Sequence, residues 1–309
     1  MNIKSPPLPE GGTIGIIAPS SPAKRNLLKK GIEYLQSRGY KIKISKYLTR
    51  GKYNMAGPDD STRAKIFEEF MLDDDTDCII CARGGYGALR IVDKINYDKL
   101  KNAKPKPLVG YSDITALQLA LLRKLKWISF SGPMVATDLS MNIDNYTENW
   151  FWNMLTGDKL LVEVRNPENM KLNVINHGEA EGIILPVCLS VFISFLNTEY
   201  CPSLDNSILI LEDINEKGYK LDRLFQILKH NKIFNKTRGI ILGQFNNCFS
   251  KRTIKLEEII KEAIPSPGFP IISNLAYGHT KKKITLPVGM RVKIQTDPVK
   301  IIILNSRWE

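Results

Sequence analysis

Short apolar runs and longer amphipathic stretches alternate along the first 125 residues. IGIIAP (14–19) is extended and apolar, residues 25–38 carry a helical apolar period, and KIKISK (41–46) alternates like a strand. A polar loop at 51–60 and a helical stretch at 61–72 precede DCIICA (77–82), which reads as a buried strand. RGGYG (83–87) follows it and opens a further helical stretch. KPLVGY (106–111) then leads into a helix whose Ile114, Leu117, Leu121 and Leu122 share one face. Strands alternating with helices in this way predict a parallel sheet covered on both faces. Loops that follow its strands open into one crevice at the carboxyl edge.

The pattern changes over 142–176, where a Trp/Phe-rich helix, a charged stretch and Asn/Pro punctuation mark a junction. Beyond it, strand-like GIILPV, SILILED and GIILGQF alternate with helical LSVFISFL, KLDRLFQILKHN and KLEEIIKEAI, and the tail VKIQ and VKIIIL is strand-rich. The expected class is α/β, with a first domain at 1–160, a linker at 161–177 and a smaller mixed α/β domain at 178–309. A chain of 309 residues is long enough for two such cores without staples.

The balance of 44 basic and 32 acidic residues, +12 overall, raises the question of a polyanionic partner. The lysines are scattered, with one cluster at Lys281-Lys282-Lys283, and no helix-turn-helix or aromatic RNA-binding signature accompanies them. The charge therefore reads as a solvated surface able to attract a peptide with a free carboxylate, and nucleic acid is not an expected partner. Cys78, Cys81, Cys188, Cys201 and Cys248 are odd in number, and no second CxxC completes a zinc set, so neither a metal nor a disulfide framework is expected. RGGYG lacks both GxGxxG spacing and the Walker pattern, and no cofactor is expected. The N-terminus has no long apolar stretch, which points to the cytoplasm and away from a membrane.

Candidate chemistry begins with Ser112 in GYSD, at a strand-to-helix turn that suits a cap or a nucleophile. A serine nucleophile needs a base, and the chain holds three histidines. His230 ends a helix, where an imidazole serves as a favourable charge, and His177 lies in an Asn/Gly-rich turn. His279 follows the run PIISNLAYG and is the best-placed base. The orienting acid is either Glu212 or Asp213, at the end of the apolar run SILIL. Neighbours in a strand face opposite ways, so only one of them can meet the imidazole, and the sequence divides that choice evenly. The glycines of RGGYG let backbone N–H groups approach either a phosphate or a reacting carbonyl oxygen.

GYSD at 110–113, RGGYG at 83–87, LED at 211–213, LDR at 221–223 and GH at 278–279 together resemble the LD-carboxypeptidases. This serine peptidase family includes muramoyltetrapeptide carboxypeptidases and microcin C immunity peptidases, and the likeness runs from IGIIAPS to LPVGM. It implies a flavodoxin-like first domain, a mixed-sheet second domain and a triad between them, with Ser112 as nucleophile, Glu212 as acid and His279 as base. The oxyanion donors then fall on the N–H groups of Asp113 and Gly85, and substrate contacts on Arg83 and Tyr86. The implied substrate is a murein tetrapeptide, cut before its C-terminal D-alanine in cell-wall recycling, by a homodimer without metal or cofactor. Where the family has Gly-Gly-Asn-Leu after EAEG, this chain carries Pro186, Val187 and Cys188 within LPVCLS. A peptidyl-nucleotide substrate and a non-enzymatic nucleotide-binding protein are the alternatives.

Overall fold

All four residues of the strand Cys78–Cys81 are buried, and that sets the middle of the first sheet. A CIIC run has no polar face to give to water, so both of its sides have to be covered. Burial also pushes the Cys78 and Cys81 thiols far above their ordinary range, which leaves them inert fillers. In the computed structural model, which describes residues 2–157, 161–250 and 254–304, this strand pairs in parallel with Thr13–Ile17 and Leu108–Gly110. Lys41–Ile44 joins in parallel beside Thr13–Ile17, and Ser129–Ser131 in parallel beside Leu108–Gly110. Counted along the chain, these parallel strands lie in the order 2-1-3-4-5, the flavodoxin-like arrangement. The order reverses between Thr13–Ile17 and Cys78–Cys81. A crevice therefore opens at their carboxyl ends, where residues 18–21 and 83–87 form the loops.

The helices of this unit pack tightly because small residues let them. Arg25–Ser37 buries Leu28, Gly31 and Leu35 on one stripe. Asp60–Leu72 is capped by Asp59, whose carboxylate accepts from Thr62 N at 2.7 Å, and it buries Ala64, Phe67 and Met71. Gly15 admits it, since a Cβ there would lie 2.7 Å from the Phe70 ring.

The second unit is built on an eight-stranded mixed sheet. Glu179–Cys188, Ser207–Ile214, Thr237–Asn246 and Ile271–Ser273 run parallel in that order. Arg291–Thr296, Val299–Leu304 and Leu161–Val164 add antiparallel strands on one side, and Asn173–Asn176 adds one on the other. Helices Leu189–Phe195, Gly218–His230 and Leu256–Ala263 connect the parallel strands. Among the described residues no helix is long and apolar enough to cross a membrane.

Several expectations need correction. Residues 161–177 are not a linker, because they supply Leu161–Val164 and Asn173–Asn176 to the edges of the second sheet. These edge strands, LVEV and NVIN, are four residues long and part-exposed, too short to show a period of their own. The boundary placed at 160 lies outside the described residues. Nor does everything after 178 belong to the second unit. Compact unit 1 comprises Met1–Asp158, Thr198–Pro202 and Thr285–Val288, and Leu286–Val288 pairs antiparallel with Ser129–Ser131 in the first sheet. A three-residue excursion has no pattern of its own to announce which sheet it joins. RGGYG opens only a 3-10 turn, Leu89–Ile91, and a four-residue helix, Tyr97–Leu100. The loop at 51–60 folds back as a small hairpin, Gly51–Lys52 with Met55–Ala56. Lys283, read as part of a solvated cluster, is buried.

Gly31 gives a test in which two physical effects oppose. Helix propensity alone predicts that Gly31→Ala stabilises by about 1 kcal/mol. A Cβ there would lie 2.1 Å from the Val135 carbonyl oxygen, however. Overpacking of this kind costs roughly 1–3 kcal/mol and should prevail, so calorimetry should show a lower Tm for Gly31→Ala.

Candidate active site

The strand Leu108–Gly110 ends in a turn that no ordinary serine adopts. Tyr111 is still extended, and Ser112 then takes φ +65°, in the left-handed region. That conformation costs a non-glycine residue roughly 1–2 kcal/mol and persists only where its surroundings impose it. Ser112–Ile114 forms one 3-10 turn, and the helix Thr115–Leu125 follows. The surroundings are close-fitting. A Cβ on Gly110 would lie 2.9 Å from the Ile114 side chain, and the buried Gln118 amide donates to Gly110 O at 2.9 Å and Phe130 O at 2.8 Å. A Cβ on Gly84 would stand 3.0 Å from Ser112 Cβ and 3.2 Å from its Oγ. Backbone, rather than a side chain, thus lies against the serine.

The residue after the serine turns inward. Asp113 Oδ2 accepts from Ser20 Oγ at 2.5 Å and from Ala88 N at 2.8 Å. Burial raises the Asp113 carboxyl above the ordinary carboxylate range, and the bonds from Ser20 and Ala88 pull against that shift. Ser21 Oγ accepts from Tyr86 N at 3.1 Å. The buried Arg63 guanidinium donates to Ala56 O at 3.1 Å, reaches Gly87 O at 3.5 Å and pairs with Asp60 at 2.5 Å. Arg83 is half-buried, with Nε donating to Gly84 O at 3.2 Å, while Tyr86 is 53% exposed.

In the second unit the strand Ser207–Ile214 carries two adjacent buried carboxylates with different partners. Glu212 Oε2 accepts from His279 Nδ1 at 2.8 Å and from His279 N at 3.0 Å. A carboxylate only accepts, so Nδ1 carries the hydrogen, and in the neutral imidazole Nε2 is then the acceptor. Glu212 Oε1 is buried without a hydrogen-bond partner among the described residues. Asp213 meets a different set. It accepts from Ser190 N at 2.8 Å, Ser190 Oγ at 3.3 Å and Ile214 N at 2.8 Å, which caps the helix Leu189–Phe195. Burial raises its carboxyl above the ordinary range. Alternation along the strand thus separates a carboxylate on the imidazole from a helix cap.

The loop holding His279 is stitched to the strand Thr237–Asn246. Gln244 N donates to Tyr277 O at 2.9 Å, Gln244 Nε2 to Leu275 O at 2.9 Å, and Asn246 Nδ2 to His279 O. Gly278 has φ +105°, and a Cβ there would lie 2.4 Å from Glu212 Oε2. Pro186, Val187 and Cys188 are buried in the strand Glu179–Cys188, with Cys188 in register with Glu212. Pro186 and Val187 stand opposite Ile210 and Leu211, so of the three only Cys188 is paired with the carboxylate.

His177 and His230 stand elsewhere. His177 Nδ1 lies 3.4 Å from Thr296 Oγ1, and His230 ends its helix. The reading of residue patterns missed Ser20, Ser21, Gln244 and Asn246. The serines carried one usable signal, since they directly follow the first strand at the sheet's switch point. Among the described residues, no three His, Cys, Asp or Glu side chains gather in a group able to hold a metal ion.

Gly278→Ala should break the carboxylate–imidazole bond. The measurement is proton NMR of the His279 ring, where wild type should show a downfield Nδ1–H resonance and the variant should not.

Comparison with known proteins agrees with this architecture. The pattern of the LD-carboxypeptidase N-terminal domain matches residues 14–132, and that of the LD-carboxypeptidase C-terminal domain matches 181–294. A probable murein peptide carboxypeptidase of Bacillus subtilis is 30% identical over 300 residues, covering 96% of this chain and 92% of its own. The structure of microcin C7 self immunity protein MccF in complex with aspartyl sulfamoyl adenosine superposes with a TM-score of 0.91 at 25% identity, covering 99% and 100% of the two chains. That of muramoyltetrapeptide carboxypeptidase from Oxalobacter formigenes gives 0.82 at 27% identity, covering 94% and 97%. With one domain pattern spanning Ser112, the other spanning Glu212 and His279, and a relative alike along nearly the whole length, this chain belongs to the LD-carboxypeptidase family.

Proposed function

We propose that this protein is a serine-type carboxypeptidase that releases C-terminal D-alanine from murein tetrapeptides, acting as a cytoplasmic homodimer in cell-wall recycling. The observation that carries the reading is the Glu212–His279 bond at 2.8 Å. A carboxylate at Nδ1 supports the neutral tautomer with its hydrogen there and Nε2 as base, which a serine nucleophile requires. Ser112 Oγ attacks the carbonyl carbon of the scissile amide, and His279 Nε2 takes its proton. The imidazolium, stabilised by Glu212, returns that proton to the leaving amine, and D-alanine departs from the acyl-enzyme. Water, activated by the same imidazole, then frees Ser112.

The oxyanion role falls on the N–H groups of Asp113 and Gly85. Their neighbours are engaged, since Ile114 N donates to Tyr111 O at 3.3 Å and Tyr86 N to Ser21 Oγ at 3.1 Å. Each donor aimed at a developing oxyanion contributes about 3 kcal/mol. Arg83 and Tyr86, on the same loop, are the proposed substrate contacts, and the net charge of +12 favours approach of a peptide bearing free carboxylates. The likeness to a neighbour solved with aspartyl sulfamoyl adenosine favours one second reading, in which the same chemistry acts on a peptidyl-nucleotide.

The deciding experiment follows D-alanine release from a muramyl tetrapeptide. Wild type should cut the D-alanine-ended peptide and spare its L-alanine counterpart. Ser112→Ala should retain the fold and lose about four to six orders of magnitude in kcat. Cleavage of aminoacyl sulfamoyl adenosine without cleavage of the tetrapeptide would favour the second reading.

Glu212→Gln should lower kcat by about four orders of magnitude, because an amide does not stabilise the imidazolium and permits the wrong tautomer. Asp213→Asn should lower it far less and act mainly on Tm, through the helix cap. Steady-state kinetics beside thermal melts separate the two, and the reverse ranking would exchange their roles.

A further inference from the structure

Three loops at the carboxyl edge of the first sheet are joined by hydrogen bonds that chain connectivity does not require. Residues 18–21 follow the first strand, 83–88 the third and 111–114 the fourth. Ser20 Oγ and Ala88 N both donate to one buried oxygen of Asp113, at 2.5 and 2.8 Å. Ser21 Oγ accepts from Tyr86 N at 3.1 Å. The approach of Ser21 is possible because residue 85 is glycine at φ +119°, where a Cβ would lie 2.3 Å from Ser21 Oγ. The two serines thus hold opposite ends of one link. Ser20 binds the residue after the proposed nucleophile, and Ser21 binds the loop that carries the second proposed oxyanion donor.

A buried carboxylate is costly to keep unless its bonds do something that an apolar residue would not. Asp113 sits at 5% exposure where a leucine would continue the apolar face of Ile114 and Leu117. It directly follows Ser112, so bonds that hold its side chain in place also restrain the backbone next to the left-handed serine.

Resting on the serine peptidase reading, we propose that Ser20, Ser21 and the Asp113 carboxylate form a clasp that sets the spacing between nucleophile and glycine-rich loop. They are positioning residues for acyl transfer. The clasp acts on the width of the pocket that receives the carbonyl oxygen, a dimension met in the transition state more than in the bound substrate. Its loss should therefore appear in kcat rather than in KM.

The test is a double-mutant cycle on the full chain with the D-alanine-ended tetrapeptide, each variant paired with a thermal melt. Asp113→Ala should lower kcat at least about 100-fold, and Ser20→Ala and Ser21→Ala about tenfold each, with KM within about threefold. Asp113→Asn keeps an acceptor for Ala88 N and should recover part of the loss. Ser20→Ala placed on Asp113→Ala should cost less than about a further twofold, because the bond is already gone. A role confined to stability would instead lower Tm and leave kcat at temperatures below the melt. Should Asp113→Ala not fold, the two serine variants decide the matter by the same kcat and KM criteria. A folded Asp113→Ala with near-normal kcat beside an inactive Ser112→Ala would overturn the clasp alone. An active Ser112→Ala would overturn the nucleophile and the clasp together.

Discussion

The conformation of Ser112 is the constraint around which the first unit is arranged. A left-handed serine at the end of a strand is unfavourable in isolation, so something must make every alternative worse. Gly110 lets Ile114 close on the turn, Gln118 bridges the carbonyls on two neighbouring strands, and Gly84 brings backbone against the serine itself. Each is a local choice of residue that makes sense only as support for that turn. The parallel sheet supplies the rest, because its strand order opens a crevice where these loops meet.

The second unit solves a different electrostatic problem, two adjacent buried carboxylates. In a low-dielectric interior each needs donors, and strand alternation sends them to different ones. Asp213 is satisfied by a helix N-terminus, where backbone N–H groups and the dipole favour negative charge. Glu212 Oε2 accepts from both the backbone N–H and the ring of one histidine, while Oε1 has no partner among the described residues. The double contact orients the imidazole, and Gly278 makes the close approach possible. The geometry of this pair comes from packing that denies other arrangements.

Much of this is legible in the sequence. The buried strand CIIC, the alternation of strands and helices, and the strand-to-helix position of Ser112 follow from periodicity, which reports directly on which side chains must leave water. The pairing of Glu212 rather than Asp213 with His279 is not, because alternation says that two neighbours part without saying which way each one points. Leu161–Val164, Asn173–Asn176 and Leu286–Val288 were missed for a related reason. All three lie at sheet edges, and the partner that makes each a strand lies far away in the chain. Lys283 shows the same limit, since three consecutive lysines look alike until one is enclosed.

What the amino-acid sequence determined by itself is the class of architecture and the chemical inventory: a parallel α/β sheet, a second mixed unit, one serine at a turn, three histidines and two candidate acids. Those properties depend on local period and residue type, which short stretches carry. Tertiary structure alone decided the φ of Ser112, the partners of Asp113, the choice between two neighbouring carboxylates and the return of Leu286–Val288 to the first sheet. Each is an interaction between segments distant in the chain, where satisfying buried polar groups and filling space select one arrangement from several that local preference leaves equal.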